Sequence, residues 1–562
     1  MWLIAGLAVV VRFLWLGRIP GGVSHDDLVY IMSGKTLWLF GKDLAGTGLI
    51  QLLFGSGTEG VISPIPAVLL APFYGIVNLN LFTARLPYLF LNIFTALGLF
   101  VLVKKIFGDY KFAVVTGMIF LFNPWSIFLA RLTTDTAFAL FFFVWGMAML
   151  ISFSGKKLFW AGLFFGLGFF SYHGAKLLSV PIIFVGLWYR TYLVKTLNIR
   201  QAGYFLGFIM TLILGYFAGQ GYLPGSVVSS RSEEIVVLNK DLLAAIVNDD
   251  RRLSIDNGFK NLVANKAMAG VNEVLKNYAQ VFSGAVFFAS GDPTPINNFA
   301  RHGLFYAVDA IFLVIGLFCL NKKNRKGFLL FTGLTLIAPI ASAVHIGEVS
   351  IVNRGFMLLP VFCVFIGAGV VWMAKKLPVF ILGLVMFLSL GNFLYYYFFV
   401  HPILSQESFF VSERVAANYY VRARNTAKIT VVNNSPRGVF LETAFYLPVR
   451  EQNVVWKDNF ERYVDGGFRY GNFEITNTCP DKFEDDTTYV VKSSFEKCGE
   501  DRKADMVIID RHYGGAIYKI YNDKICAESK PEKWLRFFYI NDYDMEEMET
   551  GYFCRRWMAE EN

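Results

Sequence analysis

The sequence predicts an α-helical polytopic membrane protein that ends in a small extracytoplasmic α/β domain. Three observations carry this reading. Of 562 residues, 55% are hydrophobic and only 17% charged, against roughly 25% charged in an ordinary soluble domain. The apolar residues come in runs of roughly 17–22, long enough as helices to cross ~30 Å of hydrocarbon. After residue 400 these runs stop, and short β-like segments alternate with charged helical stretches. Mean hydropathy is +0.47. A net charge of +9 would suggest nucleic acid in a soluble chain. In a membrane chain the placement of the basic residues matters more than their sum, and no nucleic-acid partner is expected.

The first run, "MWLIAGLAVVVRFLWLG" (1–17), has no basic stretch before it and no small-x-small cleavage site after it. It reads as an uncleaved helix rather than a signal peptide. It is short for a span, and an upstream start would complete it. Short connections rich in Lys and Arg then recur at 104–111, 155–157, 189–200, 321–327 and 374–376. Such loops are retained in the cytoplasm. The spans this implies are 1–17, 84–103, 112–130, 136–153, 158–171, 177–190, 202–220, 304–320, 328–344, 355–373 and 377–398. That is about eleven transmembrane helices, with the N-terminus inside and everything after 400 outside. The stretch "SPIPAVLLAPFYGIVNLN" (63–80) is apolar but proline-rich near its start. Charge parity and the prolines favour a helix lying in the outer interface.

The expected organisation is a membrane domain over 1–399, with outer loops 18–83 and 221–303, and a soluble domain over 400–562. Within the second loop, "EVLKNYAQVF" is helix-like. "AKITVVNN", "TTYVVKSS" and "ADMVIID" read as strands of the soluble domain. Cys479, Cys498, Cys526 and Cys554 lie there, which implies an oxidising compartment and two disulfides. Three connectivities are open, and nearest-neighbour pairing is the expected one. Cys319 and Cys363 fall in spans as buried thiols. No internal repeat is evident, which weakens a transporter built on repeated halves.

Charged groups gather at the outer ends of the spans. In "SHDDLVY" (24–30), Ser24 and Asp27 have the spacing of a capping box. Neighbouring helical positions point about 100° apart, so Asp27 can cap while Asp26 faces a cavity as a general base. "NPWSIFLARLTTDTAF" (123–138) places Arg131 and Asp135 four apart. They form either a helix-surface pair or supply a second, substrate-orienting carboxylate. "SYHGAKLL" (171–178) carries His173 and Lys176; the lysine either snorkels or offers positive charge to an anionic head group. "SAVHIGEVSIVNRGF" (342–356) carries His345 and Arg354, and arginine suits bidentate phosphate contact. "DDRR" (249–252) reads as a solvated loop. No HExxH, Walker loop or dinucleotide fingerprint occurs in the sequence.

The order of these features resembles the GT-C-fold membrane glycosyltransferases. The similarity is to bacterial members like the dolichyl-phosphate-mannose–protein mannosyltransferases and aminoarabinose transferases. It extends over roughly residues 1–400 and rests on "HDDLVYIMSGKTLWLFGKDLAG", "ARLPYLFLNIFTALGLFVLVKKIFG", "NPWSIFLARLTTDT", "SYHGAKLLSVPI" and "VFFASGDPTPINNFARHGLFY". The resemblance implies sugar transfer on the outer face, from a polyprenyl-phosphate-linked donor to a protein, glycan or lipid acceptor. It puts the family's acidic pair on Asp26 and Asp27, with Asp27 where Glu is usual, and the later acidic position on Asp135. It puts the donor phosphate on Lys176 and Arg354, with His173 and His345 behind them. The resemblance implies that members using monophosphate donors generally need no metal, whereas diphosphate-donor relatives do; no cofactor is expected, with a divalent metal as the alternative. The competing expectations are a lipid or glycan flippase, which would carry ionisable groups at mid-span, and an inactive relative that binds envelope glycans.

Overall fold

A computed structural model describes residues 2–53, 63–222, 234–347, 350–465, 469–470, 472–529 and 538–561. Parts of both expected outer loops, 54–62 and 223–233, lie outside the described residues. The chain divides into two compact units. One comprises Met1–Arg12, Ile50–Pro66 and Tyr88–Tyr396; the other comprises Phe13–Leu49, Ala67–Pro87 and Tyr397–Asn562.

Every expected span falls on helix, but the number able to cross a membrane is smaller than expected. Among the described residues five helices are long and apolar enough: Leu81–Phe107, Asp135–Ser152, Ile199–Tyr216, Arg325–Ala343 and Val379–Leu404. The protein is therefore a multi-span helical membrane protein with five candidate spans rather than about eleven. The shortfall has local causes. The first helix, Trp2–Phe13, has 12 residues. The run at 112–130 breaks at Asn123, whose backbone ends Tyr110–Phe122 and whose side chain accepts from the Ser126 amide to start Pro124–Leu129. Leu158–Ser171 has 14 residues and Leu358–Met373 has 16. At 1.5 Å per residue these reach roughly 21–24 Å, short of ~30 Å of hydrocarbon. The proline-rich stretch forms Pro64–Ile76, a helix of 13 residues with Pro72 inside it.

Within the first unit, Asp309–Lys323 and Leu358–Met373 approach through glycines. A Cβ on Gly316 would collide with the Phe365 carbonyl oxygen, and one on Gly369 with the Phe312 carbonyl oxygen. Small residues let helix backbones meet where lipid supplies no hydrophobic drive between helices. Gly369→Val is therefore expected to lower stability by about 1–3 kcal/mol through overpacking. The control is Gly383→Ala, where an added Cβ meets nothing within 4 Å. Thermal unfolding in detergent checks it, and equal melting temperatures for the two variants would refute the glycine interlock.

The second unit holds a six-stranded mixed sheet, order β2-β3-β1-β4-β6-β5. The strands are β1 (Lys428–Val432), β2 (Arg469–Tyr470), β3 (Phe473–Thr476), β4 (Thr487–Lys492), β5 (Met506–Ile509) and β6 (Ala516–Tyr521). β1 lies parallel to both neighbours, in register Ile429 with Phe473 and Val431 with Val490. Both central strands are buried over nearly their whole length, as parallel strands covered on two faces must be. Val411–Ala423 and Pro436–Tyr446 provide buried helical faces in the same unit. The three segments expected as strands are β1, β4 and β5. The disulfides are Cys479–Cys498 and Cys526–Cys554, with Cα atoms 5.6 and 5.4 Å apart; these are the nearest-neighbour pairs. Reduction is expected to slow the chain on a denaturing gel, and identical mobility with and without reductant would count against both bonds. "DDRR" is helical, ending Lys240–Leu253, with Arg252 paired to Asp249 on the surface at 2.6 Å.

Candidate functional site

The turn before the first acidic pair is held from several sides. Arg85 is buried and donates to the carbonyls of Leu16, Pro20 and Gly22 at 2.8, 2.9 and 2.6 Å. Arg414, also buried, donates to the Gly21 carbonyl at 2.5 Å and the Tyr543 carbonyl at 2.6 Å. It makes a bidentate pair with Glu546 at 2.9 and 2.6 Å. The two glycines are required by close approach. A Cβ on Gly22 would collide with the Phe409 carbonyl, and one on Gly21 with the Tyr543 ring.

From this anchored turn, helix His25–Phe40 starts at Ser24, whose Oγ accepts from the Asp27 amide at 3.2 Å. Asp27 is buried and Asp26 is exposed. The helix ends at Gly41 in the left-handed region, φ 69°, as a C-terminal glycine allows. Asp43 then closes the following turn by accepting from the Ala45 and Thr47 amides.

The other candidates lie in the first unit. Asp135 is the buried first residue of Asp135–Ser152, flanked by the hydroxyls of Thr134 and Thr136 at 3.4 and 3.5 Å. Arg131 is buried and donates to the Arg12 carbonyl at 3.0 Å. One turn into His173–Trp188, the Lys176 ammonium donates to the Tyr216 hydroxyl at 2.8 Å and lies 3.4 Å from His173 Nδ1. His345 and Arg354 meet directly. A guanidinium nitrogen of Arg354 lies 2.8 Å from His345 Nε2, and His345 Nδ1 faces the Ile346 carbonyl. Nδ1 must carry the proton to donate to that carbonyl, which leaves Nε2 as a lone-pair acceptor for Arg354. Burial, together with the Arg354 charge, pushes the His345 imidazole below its ordinary pKa, in keeping with this neutral tautomer. Glu234 lies 3.4 Å from His345 Nε2. The structure thus joins His173 with Lys176 and His345 with Arg354, and it puts Asp26 and Asp27 in the unit that holds the C-terminal sheet.

Several structural anchors were not read from the sequence. Asp292 is fully buried, and its carboxylate accepts from the Ile351, Val352 and Thr294 amides. It fixes the start of the short helix Ile351–Arg354 that carries Arg354. Burial raises its pKa against the pull of those hydrogen bonds. Arg85 had a visible signal, a lone cation opening an apolar run. Arg414 and Glu546 had none, since no local spacing links them. They line a cavity of about 720 Å³ in the second unit, with Arg18, Arg422, Asn418 and Asp544, a size suited to a small ligand. Among the described residues no group of three or more His, Cys, Asp or Glu could hold a metal.

No family model matches the chain, and no curated protein matches it. Solved structures do. The apo Archaeoglobus fulgidus oligosaccharyltransferase is 14% identical at TM-score 0.41, over 78% of this chain and 63% of that one, so the chain spans under two thirds of that protein. Archaeal oligosaccharyltransferase AglB from Archaeoglobus fulgidus, in complex with an inhibitory peptide and a dolichol-phosphate, is 10% identical at TM-score 0.44, over 92% and 74%. ArnT from Cupriavidus metallidurans, bound to undecaprenyl phosphate, is 11% identical at TM-score 0.40, over 92% and 97%.

Proposed function

We propose that the protein is a GT-C-like integral membrane glycosyltransferase that moves a sugar from a polyprenyl-phosphate donor to an acceptor on the extracytoplasmic face. The observation that supports this reading most is the contrast in burial within the first acidic pair. Asp27 is buried at the capped helix start, while its neighbour Asp26 stays exposed.

In the proposed reaction the acceptor's hydroxyl or amine attacks the anomeric carbon while the bond from that carbon to the phosphate oxygen breaks. The polyprenyl phosphate leaves with the electron pair, and the acceptor's proton passes to Asp26. Within the first unit, Lys176 and Arg354 are the phosphate-binding groups of this reading, since fixed positive charge offsets the negative charge of a departing phosphate. His345, neutral and bonded to Arg354, orients that guanidinium. Asp135 orients substrate. No metal is assigned a role.

Mass spectrometry of envelope lipids, glycans and proteins from cells with and without the protein tests the reading. A sugar-sized mass difference in one fraction is expected, and identical profiles in all three would sink the proposal. Arg354→Lys keeps the charge but loses the planar fork. It is expected to lower transfer about ten-fold, near 1.4 kcal/mol, through weaker use of the lipid donor. Unchanged donor dependence would remove Arg354 from the phosphate site.

A further inference from the structure

The segment between helices Lys240–Leu253 and Lys266–Val281 turns its apolar side chains outward. Leu253, Ile255, Phe259 and Leu262 are 70%, 90%, 71% and 71% exposed. Arg251 donates to the Ala264 carbonyl at 2.9 Å, which draws the two ends of the segment together and makes it a closed tip. The two helices already have a core of their own, built from Val236, Leu243, Val247 and Ala269. The outward residues are therefore surplus to the packing of this substructure. Exposed apolar side chains clustered along one short segment mark a surface that another phase or molecule covers.

Two observations say what covers it. First, the helix that leads away from the tip is tied to the membrane-spanning part of the same unit. The Tyr278 hydroxyl donates to the Leu336 carbonyl at 2.8 Å, inside the candidate span Arg325–Ala343. The Asn277 amide reaches the carbonyls of Ala343 and His345, each at 3.3 Å. Helix Lys266–Val281 is thus pinned to the end of a spanning helix, and its own exposed Met268, Val271 and Leu275 extend the apolar face from the tip toward that span. Second, the charges around the tip suit a bilayer surface. Arg251, Arg252, Lys260 and Lys266 flank it, with stems long enough to lie along apolar surface while their heads stay in water. Asp249 lies 2.6 Å from Arg252, and Asp256 lies 3.9 Å from Lys260.

We infer that the 253–263 tip inserts its apolar side chains into the head-group boundary of the bilayer that the chain spans. Insertion is shallow, because Asp256 and Lys260 must remain at the water side. The tip also has a mechanical link to the phosphate-site candidates. The Val236 amide donates to the Val344 carbonyl, and the Ile346 amide to the Glu234 carbonyl, each at 2.9 Å. The loop that carries the tip therefore brackets His345; resting on the proposed phosphate role of His345 and Arg354, its seating in lipid sets their depth.

The test uses the full chain in lipid nanodiscs of phosphatidylethanolamine and phosphatidylglycerol, with Cys319→Ala and Cys363→Ala removing the free thiols. Nitroxide labels go on Ile255→Cys, Phe259→Cys or, as the water-facing control, Asp249→Cys. Relaxation by oxygen, which concentrates in lipid, is compared with relaxation by a water-soluble nickel chelate. The oxygen-to-nickel ratio at 255 and 259 is expected to exceed that at 249 several-fold. A ratio equal to that of the control would put the tip in water and overturn the inference. Exclusion of both reagents at 259 would overturn it as well, by showing that a protein partner or a second copy covers the patch.

Discussion

Asp26→Asn is expected to abolish sugar transfer, on the proposed function, while leaving protein amount and melting temperature unchanged. The amide keeps the carboxylate's shape but cannot take the acceptor's proton, and loss of a general base costs ~10²–10⁴ in rate. The exposed position of Asp26 makes the folding cost of the change small. Asp27→Asn behaves differently under the same reading. The cap at this helix start is a bond from the Asp27 backbone amide to Ser24 Oγ, which the substitution leaves in place. Its rate loss is smaller, and any loss of stability falls within the roughly 0.5–2 kcal/mol typical of a helix cap. Asp135→Asn falls between the two. The measurement is transfer from a polyprenyl-phosphate sugar in detergent, with thermal unfolding alongside. Near-normal activity in Asp26→Asn removes it as the base. A dead Asp27→Asn beside it would exchange the two roles.

Arg414→Ala is expected to lower stability by about 3–5 kcal/mol, because it strands a carboxylate whose partner was buried. Glu546 keeps 35% of its side chain exposed, so water can reach the orphaned group and the ion-pair share falls toward the low end. The variant also frees the carbonyls of Gly21 and Tyr543, and each buried polar group left unmade costs about 1–3 kcal/mol. Glu546→Gln is milder, since an amide oxygen still accepts. The pair has a pH signature as well. Burial works against ionisation of Glu546, but the Arg414 charge and the Asn418 amide outweigh it and hold the carboxyl below its ordinary range. Its stabilisation is therefore complete above the unfolded glutamate value of about 4.3 and fades as pH falls through the lower folded value. Thermal unfolding of wild type and Arg414→Ala from neutral to acid pH reads both effects. A wild-type advantage that does not shrink in acid would contradict the pairing.

The helical segments, the strands and the disulfide pairs were legible because each is written locally. A run of apolar residues, a segment rich in β-branched residues such as "KITVV", or cysteines confined to one region needs no distant partner to be read. The count of spans was not legible, because apolar length alone does not reveal where a helix breaks. Asn123 followed by Pro124 divides one apolar run into two helices, and the first helix is only 12 residues long. Around the candidate site, the cap at Ser24 was readable from spacing. The bond between His345 and Arg354 was only half readable: both residues stood out, but their contact depends on Asp292 fixing the start of the short helix that carries Arg354. Arg414 was invisible, because its partners lie far away in the chain.

That distance has a consequence for how the protein is made. Arg414 joins the Gly21 carbonyl, close to the start of the chain as given, to Glu546, close to its end. At ~5–20 residues per second, roughly 30–100 s of synthesis separate residue 21 from residue 546. Until Arg414 is made, the turn before Asp26 lacks one of its two arginine clamps, and until Glu546 follows, that arginine lacks its carboxylate partner. Ribosome stalling before residue 543 should leave the 21–27 turn open to protease.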